Sequence, residues 1–237
     1  MPAASATTTV VLAVADGSSM SAFVARPQGT PRGGLLVFQE AFGVNAHIRD
    51  VASRWAAEGY TAIAPELFHR TAPGFEGAYD DFNTVMPHVR AVTTEGVVAD
   101  IRAAHHWLET EGQIGGPAKQ KAAAIGFCMG GRVAMRAAAS VPLAGAVSYY
   151  GANFPPADAA QIAAPVAMFW GGLDKHITPE IRRTLIDAFT AAGKPFSSTV
   201  FARADHGFNC DQRPSFHPES ATLAAALTRQ FFQLHIR

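Results

Sequence analysis

One of the chain's two cysteines lies in the stretch Gly126-Phe127-Cys128-Met129-Gly130, with a glycine two residues to either side and an apolar run just before it. A strand that turns sharply into a helix needs small residues at those two places. It also lifts the central side chain above the sheet edge, where the free N–H groups of the new helix favour a thiolate. A sulfur nucleophile needs a base and a group to orient the base. Asp174, in "GGLDK", follows the apolar run from Val166 to Trp170, and His206, in "ADHGF", follows the run "FSSTVF". The chain order is nucleophile, acid, histidine, the order of one known triad architecture. His206 would take the thiol proton, and Asp174 would hold the imidazole in the right tautomer. Singly, each has an ordinary explanation: a buried cysteine in a glycine-rich turn, a turn aspartate, one of nine histidines. Their joint occurrence in this order argues for chemistry. Asp205 and Asp211 are rival acids, but neither follows a strand in the required order.

Three such residues require a scaffold that brings strand ends together. "TTTVVLAVADGSSMSAFVARP" reads as a hairpin around Asp16-Gly17-Ser18. "GGLLVFQE" reads as a buried strand ending at Glu40, and "NAHIRDVASRWAAEGY" as a helix with Asn45 as its N-cap. The segment from Phe68 to about His88 reads as irregular. Beyond it, strands apolar on both faces ("TAIAPEL" earlier, then "KAAAIGF", "LAGAVSYYG", "PVAMFWGG") alternate with helical patterns, and "PESATLAAALTRQFFQLHIR" reads as a final helix. Strands of that kind, separated by helices, predict a mostly parallel central sheet with helices on both faces, preceded by the hairpin. No linker divides the chain, so residues 1–237 are expected to form a single α/β domain of the α/β-hydrolase type.

Composition narrows the function classes. Apolar residues make up 49% of the 237 positions and charged residues 16%, enough for a large core, and the formal net charge is zero. Without a basic patch, nucleic acid is a poor partner. No apolar run approaches the roughly 18 residues of a membrane span, and the N-terminal stretch lacks the charged start of a signal peptide. Two cysteines are no disulfide framework, which favours a cytoplasmic setting. His47 and His176 lack partners at metal-ligand spacing in the sequence, so neither a metal nor a cofactor is expected.

The stretches "QEAFGVNAHIRD", "GYTAIAPELF", "GFCMGGRVA", "YYGANF", "GGLDKHITP" and "DHGF" together resemble the dienelactone hydrolase (carboxymethylenebutenolidase) family over most of the chain. The resemblance implies a metal-free hydrolase of small cyclic esters. Its cysteine, aspartate and histidine carry over onto Cys128, Asp174 and His206, with an acyl-cysteine intermediate. It gives Glu40, a carboxylate at the end of a buried strand, a gating role: it would hydrogen-bond the resting thiol until substrate displaces it. It assigns the oxyanion hole to the backbone N–H groups of Ala41 and Met129.

The chain also departs from that family. Dienelactone hydrolases hold the substrate's free carboxylate with arginines, one of them about four residues past the histidine. Here that position is Cys210, the residue just after His206 is Gly207 rather than serine, and Arg213 lies nearby but displaced. Arg90 is a further candidate without a secure match. Tyr149 and Tyr150, at the end of a strand on the same sheet edge, are candidates for lining the pocket with Arg213. The expected partner is a small lactone or ester, and the expected assembly a monomer or small homo-oligomer. Two other readings compete: a thiol redox or sensing protein using Cys128 and Cys210, and a binding protein on a hydrolase scaffold.

Overall fold

The computed structural model describes residues 6–117 and 121–237. It opens with the expected hairpin, β1 (Ala6–Ala13) and β2 (Ser19–Arg26), paired antiparallel. There follow β3 (Gly33–Phe38), α1 (Ala46–Ala57), β4 (Tyr60–Pro65), α2 (Phe82–Ala91), α3 (Thr94–Thr110), β5 (Ala122–Phe127), α4 (Met129–Ser140), β6 (Gly145–Tyr149), a 3-10 turn (Pro156–Gln161), β7 (Val166–Gly171), α5 (Pro179–Ala191), β8 (Phe196–Phe201) and α6 (Pro218–His235). The eight strands form one sheet in the order β1-β2-β4-β3-β5-β6-β7-β8, and β3 to β8 run parallel.

The burial of the strands explains the arrangement. Every residue of β3, β4, β5, β6 and β7 is buried, as a parallel sheet covered by helices on both faces requires. The outer strands β1 and β8 keep exposed positions and are polar or threonine-rich, as edges are. One apolar cluster runs from Leu12 in β1 to Phe232 in α6, so hairpin and terminal helix share a core. Asn45 caps α1 as read, its side chain accepting from Ile48 N–H at 3.2 Å. No helix among the described residues is long and apolar enough to cross a membrane.

The segment expected to be irregular up to His88 contains a helix. Asp81 caps α2 by accepting from Thr84 N–H at 3.1 Å, and Pro87 sits inside it. A proline in a helix interior normally argues against that helix. Here α2 is held by Val85, its one fully buried side chain, which packs with Phe42 and Ala41 in a small separate cluster. The carboxyl ends of β3, β5, β7 and β8 meet at one edge of the sheet. In open parallel sheets this is where ligands bind.

Candidate active site

Position 128 shows how the local sequence builds the site. Cys128 has φ 53° and ψ −115°, a left-handed conformation that side chains rarely adopt. Holding it there costs on the order of 1–3 kcal/mol. The flanking glycines explain why the turn can be this tight. A Cβ on Gly126 would collide with the carbonyl oxygen of Gly130, and a Cβ on Gly130 with that of Phe38. Cys128 N–H donates to the Tyr149 carbonyl at 3.0 Å, tying the turn to β6. Cys128 itself is only partly buried and faces a cavity of about 690 Å³.

Asp174 lies just past β7, and its two oxygens are both committed. Oδ1 accepts the backbone N–H groups of His176 and Ile177 at 2.8 and 3.0 Å, and Oδ2 meets His206 Nδ1 at 2.7 Å. Burial opposes its charge, but the His206 contact and the two amides outweigh burial and hold the carboxyl below its ordinary range. His206 sits in the loop after β8. Burial disfavours its imidazolium, yet the hydrogen bond to Asp174 and the nearby Cys128 sulfur prevail and push it up to about 10. With Nδ1 turned to Asp174, the other ring nitrogen is left for the sulfur. Neither rival meets the imidazole of His206, although Asp205 lines the cavity. Asp205 accepts its neighbour's backbone N–H at 2.6 Å, and Asp211 faces His47.

The thiol and the imidazole open on the same cavity, and the carboxylate holds the imidazole from behind. The sequence model of the dienelactone hydrolase family matches residues 20–236. The chain belongs to that family. A protein of Yersinia pestis assigned as a carboxymethylenebutenolidase is 37% identical over 219 residues, covering 86% of this chain and 80% of its own. The crystal structure of a protein assigned as a dienelactone hydrolase, from Klebsiella pneumoniae subsp. pneumoniae, matches with a TM-score of 0.85 and 34% identity over 96% of this chain and 99% of that one. A metagenomic dienelactone hydrolase-like promiscuous phosphotriesterase shares the fold at 23% identity, with a TM-score of 0.83 over 99% of this chain and all of its own. The α/β-hydrolase fold and a hydrolase activity on esters follow from membership of the dienelactone hydrolase family.

The remaining expected residues fare differently. Ala41 and Met129 both line the cavity, and Met129 opens α4, so its amide has no carbonyl partner within the helix. Glu40 does not meet the thiol. It is 1% exposed, its Oε1 lies 3.4 Å from Arg213 Nη1, and its Oε2 has no hydrogen-bond partner. The arginine pairs with the carboxylate because a buried negative charge is costly without an opposite one. Arg213 in turn stacks over Phe42 and Tyr79. Its place depends on Gly207, which has φ +79°, because any Cβ there would strike the guanidinium.

The two tyrosines separate. Tyr150, at φ 39°, lines the cavity with its ring 5.1 Å from His206, and burial with nearby Glu40 pushes its phenol well above the ordinary range. Tyr149 does not line it. As the last residue of β6 it points to the opposite face, where its hydroxyl meets Thr228 Oγ1 of α6 at 2.7 Å. Tyr149 closes β6 and Tyr150 follows it at a left-handed turn, so only the second reaches the cavity. Arg90 does not line the cavity either; the second arginine there is Arg132, which sequence reasoning missed. It lies one helical turn past Cys128, half-buried, with no hydrogen-bond or ion-pair partner among the described residues, and feels the Cys128 sulfur electrostatically. Its i+4 spacing from Cys128 was the available signal.

Proposed function

We propose that this hydrolase cleaves small lactones or related esters through a Cys128–His206–Asp174 triad and an acyl-cysteine intermediate. The observation that carries the reading is His206, held by Asp174 at 2.7 Å, sharing one cavity with Cys128 at its strained turn. His206 accepts the thiol proton, and the sulfur attacks the ester carbonyl. The developing oxyanion accepts hydrogen bonds from the N–H groups of Ala41 and Met129; losing one such donor typically costs about 2.7–4 kcal/mol. The carbon–oxygen bond breaks, and the leaving alkoxide takes the proton back from His206. In a lactone it stays tethered to the acyl group. Water then gives a proton to His206 and attacks the thioester, releasing the acid and restoring the thiol.

Within this reading the Glu40–Arg213 pair adjusts the charge of the pocket. Arg213 feels Glu40, Tyr150 and the Cys128 sulfur, so a ligand that draws Arg213 away from Glu40 changes the field at the nucleophile. Tyr150 forms a wall beside the imidazole. Both cysteines are free, and the Cys210 thiol donates to Tyr79 Oη at 3.3 Å, which fits separate roles better than a reversible pair.

The test is intact-mass spectrometry after rapid mixing with a slowly hydrolysed ester. The wild-type chain should gain the acyl mass and then lose it. Purified Cys128→Ala should neither acylate nor turn over, and turnover by that variant would refute the mechanism.

A further inference from the structure

Behind the catalytic edge, residues far apart in sequence form a cluster that the proposed hydrolysis does not use. His47, the second residue of α1, is 0% exposed, and neither of its ring nitrogens has a hydrogen-bond partner. Its Nδ1 lies 3.5 Å from Asp211 Oδ1, outside hydrogen-bond geometry. Cys210, also 0% exposed, precedes Asp211, and one donor atom from each of the three lies within 4.8 Å of the others. Their spacing in the sequence gave no metal motif, but the fold brings them together.

A buried imidazole with two idle nitrogens is costly unless something supplies a partner. Imidazole is also the commonest metal ligand among protein side chains. We propose that His47, Cys210 and Asp211 form a binding site for a borderline-soft divalent cation, zinc being the best match. Nitrogen, thiolate and carboxylate are the donors zinc accepts, with bonds of about 2.0–2.3 Å, which sets tetrahedral donors roughly 3.3–3.8 Å apart. The His47–Asp211 pair already has that separation. On binding, the Cys210 thiol releases its proton and forms the metal–sulfur bond, breaking its hydrogen bond to Tyr79. One thiolate and one carboxylate then balance the two positive charges. Asp211, its side chain 47% exposed, gives access from solvent, and a water completes the fourth position. The bound cation would tie the loop that carries His206 and Arg213 to the start of α1, without touching the triad.

The experiment uses cobalt(II) as a spectroscopic stand-in, in a Cys128→Ala background so that the other thiol cannot contribute. Titration should produce a near-ultraviolet thiolate-to-cobalt band that saturates at one cobalt per chain and is displaced by zinc. Adding Cys210→Ala should abolish the band. Adding Asp211→Asn, a change at a partly exposed side chain that leaves the fold intact, should weaken cobalt affinity by about tenfold or more. Thermal unfolding of the parent should shift upward with zinc, and that shift should vanish with Cys210→Ala. Absence of a band up to millimolar cobalt, or a band indifferent to Asp211→Asn, would overturn the proposal.

Discussion

Replacing Asp174 by asparagine exposes how the site sets the histidine tautomer. Oδ1 already accepts two backbone amides, from His176 and Ile177. An asparagine at 174 must keep its oxygen there, because its NH₂ cannot accept them. The NH₂ is then forced against His206 Nδ1, where the carboxylate oxygen stood at 2.7 Å. Nδ1 becomes the acceptor, so the ring hydrogen moves to the nitrogen facing Cys128, and a base that already holds its proton cannot take the thiol's. The corresponding change in a serine triad lowers the rate by about 10⁴, equivalent to roughly 5 kcal/mol of transition-state stabilisation. Since Asp174 is absent from the cavity lining, substrate binding should hardly change. Steady-state kinetics with a chromogenic ester should show the loss in kcat, with KM within a few-fold of wild type. A loss of less than tenfold, or an equal loss from Asp205→Asn, would refute the assignment of the acid.

The raised His206 makes stability depend on pH. Its folded value is about 10 against an ordinary 6.5, so its contribution is complete below about 6.5 and disappears as pH rises through 10; urea midpoints should decline over that window in wild type and stay flatter in His206→Gln. Glu40→Gln leaves Arg213 without its counter-charge beside the sulfur, so iodoacetamide should alkylate Cys128 several-fold faster near neutral pH while lactone turnover falls; an unchanged alkylation rate would reduce Glu40 to a structural role. Arg132→Gln should raise KM about tenfold for esters bearing a free carboxylate, since an Arg–carboxylate hydrogen bond contributes about 1.5–3 kcal/mol, and leave neutral esters unaffected; parallel KM measurements decide.

The places of Cys128, Asp174 and His206 in the fold were legible because each stands next to a strand end whose hydrophobic run is unmistakable. Cys128 also carries its glycine brackets, and Asp174 and His206 follow β7 and β8 within a short loop. What escaped was decided by pairings across long stretches of chain. Glu40 had an obvious need for a partner, but nothing local distinguished the thiol from Arg213, 173 residues away. Tyr149 and Tyr150 looked equivalent until β6 ended between them and sent one to each face. Helix α2 was hidden by Pro87 and by having a single buried anchor, too little for a periodic pattern. His47 read as isolated because its neighbours at the sheet edge come from the far end of the sequence.

The bend at Cys128 has an evolutionary side. Its backbone angles are imposed by Gly126, Gly130 and the strand below, not by anything the thiol does for the fold. Under the proposed mechanism, position 128 is therefore one where folding selection and catalytic selection disagree. A glycine would relax the left-handed backbone and stabilise the chain by about 1 kcal/mol while removing the nucleophile. Drift toward stability at this residue runs directly into loss of activity, so the cysteine persists only while its chemistry is under selection. The same rigidity makes the bend a socket, whose backbone is set by Gly126 and Gly130 rather than by the side chain it presents.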